Sequence, residues 1–188
     1  MQRVLSHTAS GNESACEAAV SFWNRLRTFC DEHNAGHPKV FEQLSSTLRE
    51  MLSENDGFEE RAWLHIGVRL PPGLGVEQWR QALDELRGDG EVRVGGIPVP
   101  AYRTDKNTPL VRAFLAGIRA QNAQPGFVLK SGTSDMNIVG PCWQCPMVAY
   151  GPGDSSLDHT PDEHLSLTEY GLAVRVLTRA LKAVVSTR

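Results

Sequence analysis

The chain has 188 residues, a formal net charge of -3 at pH 7, 40% hydrophobic residues and 22% charged residues. This length suits one ordinary domain or two small ones with a substantial core, and the near-neutral charge gives no general attraction to nucleic acid or anionic membranes. No apolar run approaches the ~20 residues that cross a bilayer, and the first residues lack the layout of a signal peptide. We therefore expect a cytoplasmic protein that binds neither nucleic acid nor membrane.

Four cysteines, Cys16, Cys30, Cys142 and Cys145, are too few for a disulfide scaffold in a chain of this length. The motif CWQC (142–145) has redox spacing, but a reactive pair also needs a helix N-terminus, and the sequence after it is typical of a strand. A second pair for a four-cysteine zinc site is missing. We therefore favour structural cysteines over thiol chemistry or cysteine-bound zinc.

The first hundred residues predict six elements that alternate between strand and helix. In chain order they are strand 3–7, helix 14–30, strands 45–55 and 58–70, helix 76–86 and strand 91–96. Ser14 and Glu17 form a capping box at the first helix, and the turn NDG (55–57) separates two alternating segments that predict an antiparallel pair. This order predicts a ferredoxin-like βαββαβ unit, an open sheet with two helices on one face, over residues 1–100.

A glycine- and proline-rich linker at 95–105 separates this unit from a different pattern. The elements predicted after it are helix 109–118, strand 126–130, turn 131–137, strand 145–151 and helix 167–184. Thr108 and Pro109 begin the first helix, and Ser166 with Glu169 forms a capping box at the last. Short apolar strands are typical of parallel sheets, and two of them do not form a stable sheet. Residues 101–188 are therefore predicted to be the closing segment of a larger α/β domain.

His159 is the first candidate for chemistry. It follows a glycine-rich turn at the end of a predicted strand, which is where open α/β sheets place their ligands. A neutral imidazole is a good zinc ligand, and Glu163 or Asp158 could hold its second ring nitrogen. The alternative is an exposed loop histidine beside a helix start.

Three further features could bind an anion. The turn in KSGTSDMN (130–137) offers backbone N–H groups and hydroxyls to an anion. The alternative is an ordinary turn capped by Asp and Ser. Arg69 lies at a strand end before Pro71 and could hold a carboxylate with two hydrogen bonds. The alternative is a solvated side chain without a ligand. His7 precedes a helix and could donate to an anion. The other histidines form no pattern that indicates a site: His33, His37, His65 and His164.

Five segments together resemble a known family. In chain order they are SHTASGNESACEAA, VRLPPG, AYRTDKNTPLV, VLKSGTSDMN and CPMVAYGPGDSSLDHTPDEHLSL. They resemble the later half of the acetylornithine deacetylase / succinyl-diaminopimelate desuccinylase family of zinc peptidases, and are most similar to the branch that releases lysine or ornithine from an amino-group carrier protein. The resemblance implies a zinc-bearing α/β catalytic domain with an inserted ferredoxin-like lid that also forms the dimer.

The resemblance implies roles for seven residues. His159 matches the last zinc ligand, with cobalt as an alternative metal, and Glu163 matches the acid that supports it. His7 matches the lid histidine that reaches the partner subunit's active site and stabilises the oxyanion. The positions that match substrate-binding residues are Arg69, Asn107, Gly132 and Thr133.

Other family residues have no match in this sequence. The early His-x-Asp, the bridging Asp and the Glu-Glu pair, which supply the remaining zinc ligands and the general base, all precede the lid. We therefore expect the C-terminal portion of a zinc amidohydrolase, inactive alone, that acts on an acylated amino acid or an acidic carrier protein and dimerises through the lid. The alternatives are a non-catalytic dimerising module and one half of a split enzyme with a separate N-terminal chain.

Overall fold

The computed structural model of the chain describes residues 1–6, 8–130 and 132–186, without the side chain of Thr8. The chain divides into two compact units, Met1–Ala101 and Tyr102–Arg188. None of the described helices combines the length and the apolar character needed to cross a membrane.

The first unit contains a three-stranded antiparallel sheet. Its strands are β1 (Gln2–Val4), β2 (Ser45–Asn55) and β3 (Glu59–Arg69), in the order β1-β3-β2. The predicted hairpin between β2 and β3 is therefore confirmed. Asp56 stabilises its turn by accepting the N–H groups of Phe58 and Glu59 at 2.9 and 2.8 Å, and these bonds lower the pKa of its carboxyl group.

Two helices form where they were predicted; the first packs on the sheet, and the second packs against the first and the same core. They are α1 (Ala15–Asn34) and α2 (Val76–Leu86), and two 3-10 turns lie at Thr8–Ser10 and Val40–Glu42. Alternate residues of β3 face in opposite directions, so that Leu64 and Ile66 pack on the core while Trp63 and His65 are exposed. The unit has two buried clusters, a larger one of Phe22, Leu26, Cys30, Leu44, Trp79 and Leu83, and a smaller one of Ala15, Ala19 and Ala62.

Residues 91–96 form no strand, so the prediction of a fourth strand is wrong. Val92 packs against the core, but Val94 remains 47% exposed, and Arg93 pairs with its neighbour Glu91 at 2.7 Å. Strand β1, at the open edge of the sheet, is only three residues long and offers few backbone groups for pairing. The three strands that form are ordered as in the first part of a βαββαβ unit.

The second unit is helical in its described part. Its helices are α3 (Pro109–Arg119), α4 (Asp135–Trp143) and α5 (Leu167–Val185). Helices α3 and α5 pack through Phe114, Val176 and Ala180. Because Gly117 lies against Val176, the two helix backbones come close together.

The helix starts predicted in this unit are confirmed at α3 and partly at α5. Thr108 accepts the N–H of Val111 at 3.2 Å, and Ser166 accepts the N–H of Glu169 at 3.4 Å. The carboxylate of Glu169, however, accepts the N–H of Gly153 at 3.1 Å. The predicted capping box is therefore half formed, since the acid holds the preceding loop instead of the cap residue.

The strands predicted at 126–130 and 145–151 are not formed. The turn predicted at 131–137 is wrong from residue 135 onward, because α4 begins at Asp135 and no helix was predicted there. Both strand segments are apolar, yet Val128 is 83% exposed. A strand needs a neighbour to share its backbone hydrogen bonds, and the described part of the second unit contains no strand that could serve as one. Apolar sequence alone therefore does not produce a sheet here.

Candidate functional site

His159 lies in the loop before α5 with an unusual backbone conformation. Its φ angle is +65°, in the left-handed region that few residues other than glycine adopt, although histidine enters it more often than most. Its N–H donates to a carboxylate oxygen of Glu163 at 2.8 Å, and the next residue, Thr160, donates both its N–H and its hydroxyl to the carbonyl of Leu157. The loop thus holds the His159 backbone in place while the side chain is exposed.

The two acids near His159 have partners other than its ring. Glu163 accepts the backbone N–H of His159, and its own N–H donates to the carbonyl of Thr160 at 3.1 Å. Asp158 pairs with Lys130 at 2.7 Å. Sequence reasoning missed this ion pair because its members are 28 residues apart and no local pattern links them.

The described residues do not fit a catalytic zinc by themselves. A catalytic zinc needs about three protein ligands and an open position for water. Within residues 1–6, 8–130 and 132–186, no group of three or more His, Cys, Asp or Glu side chains is arranged to hold a metal ion. His159 is therefore one candidate ligand, and its role as a zinc ligand stays a prediction.

Three of the predicted substrate-binding residues lie at helix starts. Gly132 and Thr133 are exposed and precede Ser134, the cap of α4, whose N–H donates to the side chain of Asn137 at 2.9 Å. Asn107 precedes the cap of α3 and accepts a hydrogen bond at 3.0 Å from a side chain of that helix. Helix starts favour anions, which is compatible with carboxylate binding, and these roles stay predictions.

Arg69 binds its own chain. Its guanidinium donates to the carbonyl oxygens of Val40, Phe41 and Gln43, the last at 2.7 Å. Partial burial lowers the pKa of this side chain. The sequence suggested a solvated arginine or a carboxylate ligand, whereas the structure shows a guanidinium that holds the segment before β2. Its role toward a substrate stays a prediction.

His7 lies outside the described residues, so its role also stays a prediction. Among the candidates that are described, the structure brings together His159 and Glu163. The cysteines of CWQC are free and exposed, and Cys142 lies in the last turn of α4. A helix activates a thiol at its first turn and not at its last.

Comparison with known proteins identifies relatives along almost the whole chain. The pattern of peptidase family M20/M25/M40 matches residues 16–183. A LysW-lysine hydrolase of Deinococcus radiodurans is 41% identical over 183 residues, which are 95% of this chain and 51% of that protein. A Thermococcus kodakarensis protein, provisionally named a LysW-lysine/LysW-ornithine hydrolase, is 37% identical over 168 residues, 89% of this chain and 43% of that protein.

A third relative matches a shorter region. The LysW-lysine/LysW-ornithine hydrolase of Sulfurisphaera tokodaii is 38% identical over 84 residues, 45% of this chain and 24% of that protein. The chain spans about half the length of the first two relatives. These matches confirm the family resemblance inferred from the motifs. The chain belongs to peptidase family M20/M25/M40.

Proposed function

We propose that the chain is the C-terminal portion of a zinc-dependent amidohydrolase that releases lysine or ornithine from an N-acylated or carrier-protein-linked form in amino-acid biosynthesis. The observation that carries the proposal is the 41% identity, over 183 residues, to about half of a LysW-lysine hydrolase. Peptidases of this family are generally metal-dependent and usually use zinc. By analogy with the relatives' names, we assign as substrate an amino acid that is linked to a specific carrier or acyl group.

An exposed apolar stripe on α5 supports the view that half of the enzyme is elsewhere. The α5 stripe consists of Leu167, Tyr170, Val174, Leu177, Leu181 and Val185, all more than a third exposed. The same helix already buries Ala173, Val176 and Ala180 on another side. A helix that is apolar on two sides is typical of a helix buried between layers. We assign the other half of the hydrolase as the layer that covers the α5 stripe.

We assign His159 as one metal ligand and Glu163 as the residue that fixes its backbone. Because the described residues hold no complete metal site, the remaining ligands and the general base belong to the other half, and the chain alone is expected to be inactive. Arg69, Asn107, Gly132 and Thr133 are assigned to the substrate's carboxylate and backbone-like part. His7 of a second copy is assigned to the oxyanion that forms at the scissile amide.

The test is reconstitution with a separately expressed N-terminal half of the Deinococcus radiodurans relative. We expect lysine release from lysine-loaded LysW with the mixture and none with either half. His159→Ala should abolish the reconstituted activity, whereas His164→Ala in the same loop should retain it. A mixture that assembles but has no activity, or a His159→Ala variant with full activity, would contradict the proposal.

A second function, a dimerising module without catalysis, is favoured by one observation. Strand β2 is an edge strand of eleven residues with exposed Met51 and Leu52, and such an edge can pair with a second copy. Sedimentation of the chain alone tests this function. A stable dimer together with failed reconstitution would favour the module, whereas a monomer would exclude it.

A further inference from the structure

Two histidines and a phenylalanine form a column of rings at the end of α1. The rings of Phe29 and His33 lie 6.4 Å apart, and those of His33 and His37 lie 6.1 Å apart with an interplanar angle of 19°. Helix α1 ends between the two histidines, and Gly36 turns the chain with a φ of +85°. This turn, which glycine adopts without strain, brings His37 back over His33.

Backbone hydrogen bonds hold this arrangement. The N–H of His37 donates to the carbonyl of Asn34 at 2.9 Å, and its carbonyl accepts from Gln43 at 2.7 Å. The side chain of Asn34 in turn binds both backbone groups of Leu44, at 2.9 and 2.7 Å, and Leu44 is buried in the core. The two imidazoles are therefore placed by anchored backbone on both sides of the turn.

The ring nitrogens of both histidines are available to a ligand. Neither ring makes a hydrogen bond to any residue that the structure describes, whereas the ring of His164 bonds to the carbonyl of Asp162. His33 is half-buried against Phe29, and His37 is exposed. The pair thus combines a fixed position with access from solvent.

We infer that His33 and His37 form a surface site for one divalent transition-metal ion of the kind imidazole prefers, such as Zn²⁺ or Ni²⁺. Imidazole suits these ions better than it suits Mg²⁺ or Ca²⁺, and the C-terminus of α1 favours a cation. Two rings on one tetrahedral zinc have centroids about 5 Å apart, given a Zn–N distance of about 2.0 Å. The rings must therefore approach by about 1 Å and turn out of their near-parallel stack, because each nitrogen lone pair lies in its ring plane and both must point at the same ion. Rotation of the exposed His37 side chain allows this. Water completes the coordination.

The inference does not depend on the proposed hydrolase function, since neither histidine belongs to the residues assigned to it. It does affect how a zinc measurement is interpreted. Zinc in the chain alone that is lost in His33→Gln or His37→Gln is held by this pair, whereas zinc that these variants retain is held elsewhere, for example by the exposed thiols of Cys142 and Cys145. Zinc that is gained on reconstitution and lost in His159→Ala is held by the site that includes His159. Variants of the two sites keep the two results distinct.

The test is calorimetric titration of the full chain with Ni²⁺ and with Zn²⁺. We expect the histidine pair to hold one ion per chain, and any further ion held by the exposed thiols of Cys142 and Cys145 should persist in the histidine variants. His33→Gln and His37→Gln should each weaken metal binding about tenfold or more. Loss of a residue that only supports a metal ligand already has an effect of this size, so loss of the ligand itself should have at least the same effect. His65→Gln, an exposed histidine on β3, should leave binding unchanged.

A circular dichroism spectrum of each variant checks that it is folded, and Phe29→Leu provides a second variant that removes the stacked ring but keeps both ligands. Binding by this variant, at reduced affinity, would support the site. The inference is overturned if the chain binds neither ion, or if both glutamine variants bind as tightly as the unaltered chain.

Discussion

At the end of β3, Arg69 connects the sheet to the segment before β2. Its guanidinium donates to three carbonyl oxygens within residues 40–43. A planar guanidinium can reach several acceptors at once, whereas an ammonium group is a single point of charge. The stability of this corner and any contact with a substrate therefore depend on the same side chain, and a substitution affects both.

Arg69→Lys should lower the free energy of unfolding by about 2 kcal/mol, because hydrogen bonds from a charged donor to partly buried acceptors are lost. Urea unfolding measures this change. Arg80→Lys is the matched control, since Arg80 forms only an exposed ion pair with Glu77, and it should change stability by less than about 0.5 kcal/mol. Unchanged stability of Arg69→Lys, with reduced activity of the reconstituted enzyme, would show that the substrate role dominates.

Four of the helices, α1, α2, α3 and α5, were predictable because their signals are local, whereas α4 was not predicted. Ser14 with Glu17, and Thr108 with Pro109, satisfy the first N–H groups of a helix from within a few residues. Strands depend on partners that are distant in sequence, so the hairpin with its own turn was predictable, but residues 91–96 were not.

The candidate site was predictable only as a set of residues. The placement of His159 after a glycine-rich turn indicated a functional loop, but its positive φ and the Glu163 contact with its backbone depend on loop geometry that no short motif encodes. The ring column of His33 and His37 was missed for a similar reason. Their spacing of four residues across Gly36 was visible, but the turn that stacks them was not.

The capping box of α1 predicts a pH effect. The N–H of Ser14 donates to the carboxylate of Glu17 at 2.8 Å, and this bond lowers the pKa of Glu17. A carboxyl group with a lowered pKa in the folded state stabilises the fold above its unfolded pKa, about 4.3, and this contribution disappears as the pH falls through the folded value. Glu17→Gln should therefore be less stable than the unaltered chain at pH 7 but not at low pH.

Urea unfolding at pH 7, 5, 4 and 3 measures this dependence. Ser14→Ala serves as the comparison, because it removes a cap hydroxyl that does not titrate. It should lower the free energy of unfolding by about 1 kcal/mol at pH 7 and by most of that amount at low pH. The electrostatic explanation would be contradicted if the free energies of unfolding of Glu17→Gln and of the unaltered chain differed by the same amount at every pH in this range.

At the scale of the whole molecule, both units leave apolar side chains exposed, and many of those in the second unit form a stripe along one helix. The second unit buries Phe114, Val176 and Ala180 between two helices, but the α5 stripe stays open, with Leu177 42% and Leu181 51% exposed. Large exposed apolar patches mark interaction surfaces or promote aggregation. The α5 stripe should therefore contribute to how the chain associates.

Leu177→Glu combined with Leu181→Glu should reduce self-association of the chain and its binding of an apolar fluorescent dye, because charge then interrupts the α5 stripe. The same double variant should fail to assemble with the N-terminal half. Sedimentation and dye fluorescence measure these effects. Arg179→Glu, on the opposite side of α5 by helical spacing, is the control. Equal association of the double variant and the unaltered chain would contradict this use of the stripe.

The positions of the cysteines give the chain an internal reporter of its own opening. Cys30 is buried in the core of the first unit beside Ser46, and burial raises the pKa of its thiol, so that little reactive thiolate forms there. Cys142 and Cys145, in the second unit, are exposed. An alkylating reagent will therefore modify Cys142 and Cys145 first and the half-buried Cys16 of the first unit next, and it will reach Cys30 only when the first unit opens. When alkylation is faster than reclosing, the rate of Cys30 modification is the opening rate of that unit, and when it is slower, the rate reports the population of the open form.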